Sequence, residues 1–275
     1  HVTHTAAPEM LSLARHAEDA NFDVIIVAPP FMVTKTEEQV IDYVRLLADN
    51  TSLAIMFYNS PQFGIVMSPA GLERICQIPN VVGVKEASFN QQLSIETHLS
   101  LGKDHVISTP DEWIFWKGKE LGFQQQVMFA NTSDWRFDTP ECNHYVQFVE
   151  RATQGDLDDQ FYDAHIRRLK ELSDTWWTRT VTKFNGALPV SMVKYWGERM
   201  GMAGGPVRPP LVDLTLQEKR DLAGELEPLK PKSPVVSAAQ NPRISWLTGN
   251  NSFFSGMLLM VSVQNVAEAL EAEQG

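Results

Sequence analysis

NVVGVKEAS, residues 80–88, sets a lysine inside a run that otherwise has the composition of a buried strand. Val81, Val82 and Val84 lead up to Lys85, and Pro79 and Asn80 supply a turn signal just upstream. An ammonium is among the costliest groups to bury without a partner. The stretch alone allows two readings. Lys85 snorkels to solvent from a strand end or pairs with Glu86, or its burial is used chemically. Free lysine titrates near ~10.4, so about one amine in 2,500 is neutral at pH 7, and apolar surroundings can lower that value by several units. A neutral amine attacks a carbonyl to give a Schiff base, and the resulting iminium is an electron sink for the neighbouring carbon–carbon bond.

Working outward, the chain alternates between helical and strand-like periods up to residue 138. Residues 7–20, 36–50, 68–79, 91–103 and 111–122 carry apolar positions at helical spacing. Between them DVIIVAPP (23–30), SLAIMFYNSP (52–61), VVGVKEAS (81–88), DHVISTP (104–110) and QQQVMFAN (124–131) read as strands. Near-continuous apolar strands separated by helices predict an α/β fold with an all-parallel sheet. Periodicity fits a doubly wound sheet and a barrel equally. From 139 to 230 only helical patterns remain, at 139–156, 156–177, 187–201 and 214–229, with GMAGGPVRPP (201–210) as a turn-rich connector. Residues 231–275 form an unassigned tail, in which ISWLTGNN and GMLLMVSV suggest strands and NVAEALEAE a helix.

Composition narrows the function classes. The 275-residue chain has a net charge of −11, so a polyanion is repelled and nucleic acid is not expected as a partner. Its longest strongly apolar stretch, FFSGMLLMVSV (253–263), is too short to span a bilayer, so no membrane partner is expected. HVTHTAAPEM has neither the basic nor the apolar region of a secretory signal, and the expectation is a cytoplasmic protein. Cys76 and Cys142 are far apart in sequence and read as two buried free thiols. The seven histidines do not cluster in sequence, and no phosphate loop, GxGxxG or zinc spacing occurs, so neither a metal nor an organic cofactor is expected.

Tyr58 ends the second of these strands, 27 residues before Lys85. In a parallel βα sheet the C-terminal strand ends carry the chemistry, and a phenol there can pass protons. YNSP (58–61) and NVVGVKEAS together resemble the dihydrodipicolinate synthase / N-acetylneuraminate lyase family of class I aldolases. LARHAEDANFD (13–23), DVIIVAPPF (23–31), LGFQQQVMFAN (121–131) and KYWGERMGMAGGPVRPPL (194–211) resemble further family segments in the same order. The resemblance covers roughly residues 1–230. It implies a TIM (β/α)8-type barrel with a C-terminal helical region, a homo-oligomer, Lys85 as the Schiff-base lysine and Tyr58 as the proton-relaying tyrosine. The implied partner is a small-molecule 2-oxo acid such as pyruvate.

Aligned in this way, HVTHTAA falls at the end of the third barrel strand, so strands four to eight are expected within an incomplete barrel over 1–138, followed by the last barrel helix and a helical region over 139–230. The family's Gly-Thr-Thr-Gly-Glu carboxylate loop has no counterpart in these residues. The family's Pro-Pro-Tyr-Tyr reads Pro29-Pro30-Phe31-Met32, and Gln62 and Phe63 stand where the synthases place an arginine for a substrate carboxylate. These departures suggest a partner aldehyde without a carboxylate. Phe31, Met32, Asn59, Ser108, Thr109, Asp111 and Gln126 are the candidate substrate contacts. Trp113, Phe115 and Trp116 either line a pocket or pack against the sheet. The expected function is a Schiff-base lyase or aldolase; the alternatives are dehydration of a 2-oxo sugar acid and a catalytically silent barrel fragment serving as a binding or assembly module.

Overall fold

Among the described residues, the continuous apolar runs become strands, and the helical periods become helices whose apolar stripes are buried. The computed structural model describes residues 1–124, 127–128, 134–155 and 158–231, and these fall into two compact units, one within 1–128 and the other within 134–231. The first unit runs α1 (Ala7–Asp19), β1 (Val24–Val27), α2 (Glu37–Ala48), β2 (Ala54–Asn59), α3 (Pro69–Cys76), β3 (Val81–Glu86), α4 (Gln91–Leu101), β4 (Val106–Thr109), α5 (Glu112–Lys117) and β5 (Val127–Met128). The helix starts follow from local chemistry. Thr36 and Gln39 form a reciprocal capping box at α2, and Ser68, Asn90 and Asp111 accept backbone N–H groups at the starts of α3, α4 and α5.

All neighbouring strands are parallel, and their order is β1-β2-β3-β4-β5. A doubly wound sheet reverses its strand order at one point. This sheet does not among its described strands, and helices α1 to α4 pack on one of its faces. Met10, Leu13, Val40, Ile41, Val44, Leu47, Leu72 and Ile75 from the helices bury against Ile25, Val27, Ile55, Phe57, Val84 and Ile107 from the strands. Of the two windings the sequence left open, the sheet follows the barrel-type one. The opposite face carries a smaller apolar cluster of Ile26, Ala28, Met56, Tyr58 and Ala87. Beside β1, the Val2 N–H donates to the Ile26 carbonyl (2.8 Å) and the Ala28 N–H donates to Thr3 Oγ1 (2.6 Å), so the first residues run along its outer edge.

The described residues of the second unit form helices: α6 (Asp134–Phe137), α7 (His144–Gln154), α8 (Asp159–Tyr162), α9 (Arg168–Lys183), α10 (Val190–Arg199) and α11 (Leu216–Leu226). The helical pattern expected to end at residue 177 continues to Lys183, with a π-turn at Asp163–Arg167 joining α8 to α9. Thr175 and Thr180 are tolerated inside this helix because their hydroxyls donate to the carbonyls one turn back, Glu171 (2.8 Å) and Trp176 (2.7 Å). Trp176 and Trp196 are fully buried here, and the Trp176 indole N–H reaches Glu225 Oε2 at 3.1 Å. The elements expected in residues 232–275 lie outside the described residues.

Gly83 fixes how closely β3 and β4 approach. A Cβ built there would run into the carbonyl oxygen of Val106 on β4. Gly83→Ala is therefore expected to destabilise the protein by about 3 kcal/mol, because strand separation is the only relief. Urea denaturation of the two proteins measures it; an unchanged midpoint would show that the strands part without cost.

Candidate active site

Strict alternation along β3 would put Lys85 on the same face as Val81. Val81 packs into the helix-covered core, so that register would force an ammonium into the driest layer of the unit. The pairing with β2 prevents it. Ile55 pairs with Val81 but the next residue, Met56, pairs with Gly83, which leaves Val82 as one extra residue on β3. A bulge of this kind re-aims every side chain beyond it. Past Val82, Gly83 faces with Met56, and Lys85 faces with Tyr58, on the side away from the helices.

The consequence is an in-register row. Tyr58, Lys85 and Ser108 stand opposite one another on β2, β3 and β4. Lys85 is only 3% exposed, and its Nζ lies 3.6 Å from the centre of the Tyr58 ring. Burial lowers the Lys85 pKa from 10.5 to about 7, so close to half of the amine is neutral at pH 7. Burial raises the Tyr58 phenol above its usual 10, opposed by a hydrogen bond with the Ser60 side chain, so the phenol keeps its proton near neutral pH. Ser108 Oγ is buried without a hydrogen-bond partner among the described residues. An amine that can be neutral, a protonated phenol and an uncommitted hydroxyl thus share one face.

Glu86, the next residue, points to the other face and is fully buried. Asn59 Nδ2 (2.8 Å) donates to one of its carboxylate oxygens, and the Ser88 N–H (2.8 Å) and Ser94 hydroxyl (3.1 Å) donate to the other. The Asn59 amide oxygen in turn accepts the Met67 N–H at 2.9 Å. Register pairs Asn59 with Glu86 directly behind the Tyr58–Lys85 pair. The carboxylate is thereby saturated without Lys85, which removes the reading in which Glu86 is the lysine's partner.

The other sequence candidates are distributed as follows. Asn59 turns away from Lys85 and holds Glu86, so it is a structural anchor on the helix side. Thr109 is buried one residue beyond Ser108, hence on the opposite face, and its hydroxyl accepts the Asp111 N–H at 3.1 Å. Asp111 caps α5 by accepting the Ile114 N–H at 2.9 Å. Phe31 and Met32 occupy an exposed turn after β1, with Met32 in the left-handed region at φ 72°. Gln126 lies outside the described residues. Phe115 and Trp116 are buried, as packing residues are. The sequence reading sets His1 near the expected active face without a role, and its ring stands 6.2 Å from that of Tyr58 and 5.9 Å from that of Phe63. No group of three or more His, Cys, Asp or Glu side chains able to hold a metal ion occurs among the described residues. No helix among them is long and apolar enough to cross a membrane. Cys76 and Cys142 are both buried and unbridged.

Comparison with known proteins identifies the family. Residues 1–228 match the Dihydrodipicolinate synthetase family, and the chain belongs to that family. It is 27% identical over 216 residues to a 4-hydroxy-tetrahydrodipicolinate synthase of Methanothrix thermoacetophila, covering 78% of this chain and 68% of that protein. It is 26% identical over 216 residues to a probable 5-dehydro-4-deoxyglucarate dehydratase of Streptomyces avermitilis, covering 78% of this chain but only 60% of that protein. Among solved structures, YagE from E. coli, a member of the same family crystallised with pyruvate, superposes with a TM-score of 0.65 at 21% identity, covering 83% of this chain and 73% of that one. A 2-keto-3-deoxygluconate aldolase of Sulfolobus gives 0.63 at 18% identity, covering 83% and 72%. These structures share its fold.

Two outcomes test the site's electrostatics. Folding disfavours the Lys85 ammonium, so that cost is fully present below about pH 7 and is relieved as pH rises from about 7 towards 10.5. Lys85→Met lacks the group, so its stability advantage over wild type should be greatest below pH 7 and shrink across that window in urea titrations at fixed salt. A pH-independent difference would place the amine in water. Asn59→Ala strips one donor from buried Glu86 and leaves the Met67 N–H unpaired, and should cost about 3 kcal/mol in the same assay.

Proposed function

We propose that this protein is a class I lyase or aldolase that forms a Schiff base between Lys85 and pyruvate or a related 2-oxo acid. The observation that carries the reading is the buried Lys85 amine, with its pKa brought down to about 7, set 3.6 Å over the ring of Tyr58. Family membership over residues 1–228 supports it. The sequential parallel sheet also supports the finer reading that β1 to β5 are strands four to eight of a (β/α)8 barrel, with 139–230 supplying its last helix and the helical region. Because the chain spans 60–68% of the two curated relatives described above, the activity of the whole protein is part of the proposal.

The chemistry follows from the groups on the inner face. The neutral amine adds to C2 of the oxo acid to give a carbinolamine. Tyr58 protonates its hydroxyl, and water leaves to form the iminium. The phenolate left behind takes a proton from C3 to give the enamine, whose carbon bonds to the carbon of an aldehyde while the aldehyde oxygen takes that proton back from the phenol. Hydrolysis of the new iminium releases the product and restores Lys85. Run backwards, the same steps cleave the bond. A 2-oxo acid bearing a hydroxyl at C4 can instead lose it as water, with the proton abstracted from C3, through the same imine. The near-equal identities to a synthase and to a dehydratase keep both outcomes in view.

The experiment is incubation with pyruvate and borohydride, which reduces the imine and leaves a covalent adduct that mass spectrometry locates. The adduct should fall on Lys85, and its rate of formation should rise with pH and level off above about 7. Lys85→Arg should abolish it. Tyr58→Phe should still form it, while turnover falls by about 10²–10⁴-fold, the range typical of losing a positioned proton donor. A folded wild-type protein without an adduct on Lys85 would sink the mechanism.

A further inference from the structure

We infer that the Lys85 site takes a partner aldehyde whose distal group is uncharged and apolar, best an aryl group, and that Phe63 sets this preference; the inference rests on the imine reading above. Phe63 is held by a tight turn. Pro61–Phe63 form a single 3₁₀ turn directly after β2, the Ser60 hydroxyl accepts the Gln62 N–H (3.4 Å), and the Gly64 N–H donates to the Pro61 carbonyl (3.1 Å). Gly64 closes the turn at φ 84°, a conformation that favours glycine.

The turn presents the Phe63 ring edge-on to Tyr58, with centroids 5.1 Å apart and planes at 70°. The His1 ring stacks against Phe63 at 22° between planes and meets Tyr58 edge-on at 88°. Phe63 also packs against the cluster of Ile26, Ala28, Met56, Tyr58 and Ala87. This wall adjoins the phenol that must reach the aldehyde oxygen. The aldehyde carbon therefore lies close to Tyr58, and its substituent falls against rings and aliphatic side chains. A carboxylate against Phe63 and the aliphatic cluster would lose its water, with the His1 imidazole as the polar ring beside it. An aryl group would instead meet ring edges and faces at the spacing aromatic pairs prefer.

The test compares benzaldehyde with succinic semialdehyde as partners for the pyruvate-loaded full chain, each rate normalised to the fraction of Lys85 that borohydride traps. Wild type should favour benzaldehyde by about tenfold or more in kcat/KM, the scale of a single good apolar contact. Phe63→Arg should reverse the order, and Phe63→Leu should slow benzaldehyde without gaining succinic semialdehyde. A wild-type preference for succinic semialdehyde, or a ratio that Phe63→Arg leaves unchanged, overturns the inference. Binding of benzyl alcohol, which cannot form an imine, is measured in parallel by ligand-observed NMR and should weaken about tenfold in Phe63→Arg. If pyruvate gives no adduct but this weakening holds, the imine reading falls and the apolar subsite stands. If benzyl alcohol binds both proteins equally, the subsite falls.

Discussion

A lysine and a glutamate that follow one another on a strand must leave by opposite faces, and the two faces of this sheet are not alike. One is sealed by helices α1 to α4, and the other carries only the small cluster around Met56 and Tyr58. The extra residue Val82 decides which charge goes where. With it, Lys85 faces Tyr58, and Glu86 enters the helix-covered layer where donors wait for it. Without it, Lys85 would stand beneath the helices. The lowered pKa, the row with Ser108 and the contact with the phenol all depend on this one irregularity in register.

Placing a carboxylate beneath helices is tolerable only because it is saturated there. Its three donors come from β2, from the loop after β3 and from α4, so one buried charge ties together three successive parts of the chain. Breaking one donor leaves the others holding an undersatisfied anion, which is why such clusters behave as units. The anchor lies one residue beyond the Tyr58–Lys85 pair on both strands, so the same bonds that satisfy Glu86 also hold that pair in register.

Much of this was legible in the sequence. Apolar runs and helical periods located β1 to β5 and α1 to α5, because burial on one or both faces leaves a periodic trace. Strand order was not legible in periodicity, which says which face is dry but not which strand is next; only the family resemblance implied the sequential order. The bulge was hidden for a related reason: Val81, Val82 and Val84 look alike whether or not one of them is skipped. Two assignments could have been improved by counting. Asn59 follows Tyr58 and Thr109 follows Ser108, so alternation alone sends each to the face opposite its neighbour. The family resemblance already set Phe63 where the synthases place an arginine, but its ring contacts with His1 and Tyr58 depend on a turn that juxtaposes distant residues, and no local pattern encodes that.

The apolar inner face has two effects with one cause. By denying water to Lys85 it lowers the proton affinity of the amine and makes a nucleophile available near neutral pH. By denying water to whatever lies beside Tyr58 it also penalises any charged group a partner molecule brings. A cation placed on this wall to welcome a carboxylate would add like-charge repulsion to desolvation and push the Lys85 pKa further down. An empty cationic subsite would then leave more of the amine neutral, while a filled one would cancel the repulsion and let the ammonium return. With Phe63 in that position no such charge is added to the face. In the proposed reaction, reactivity at Lys85 and selectivity beside it are therefore set together, by the apolar side chains of one face.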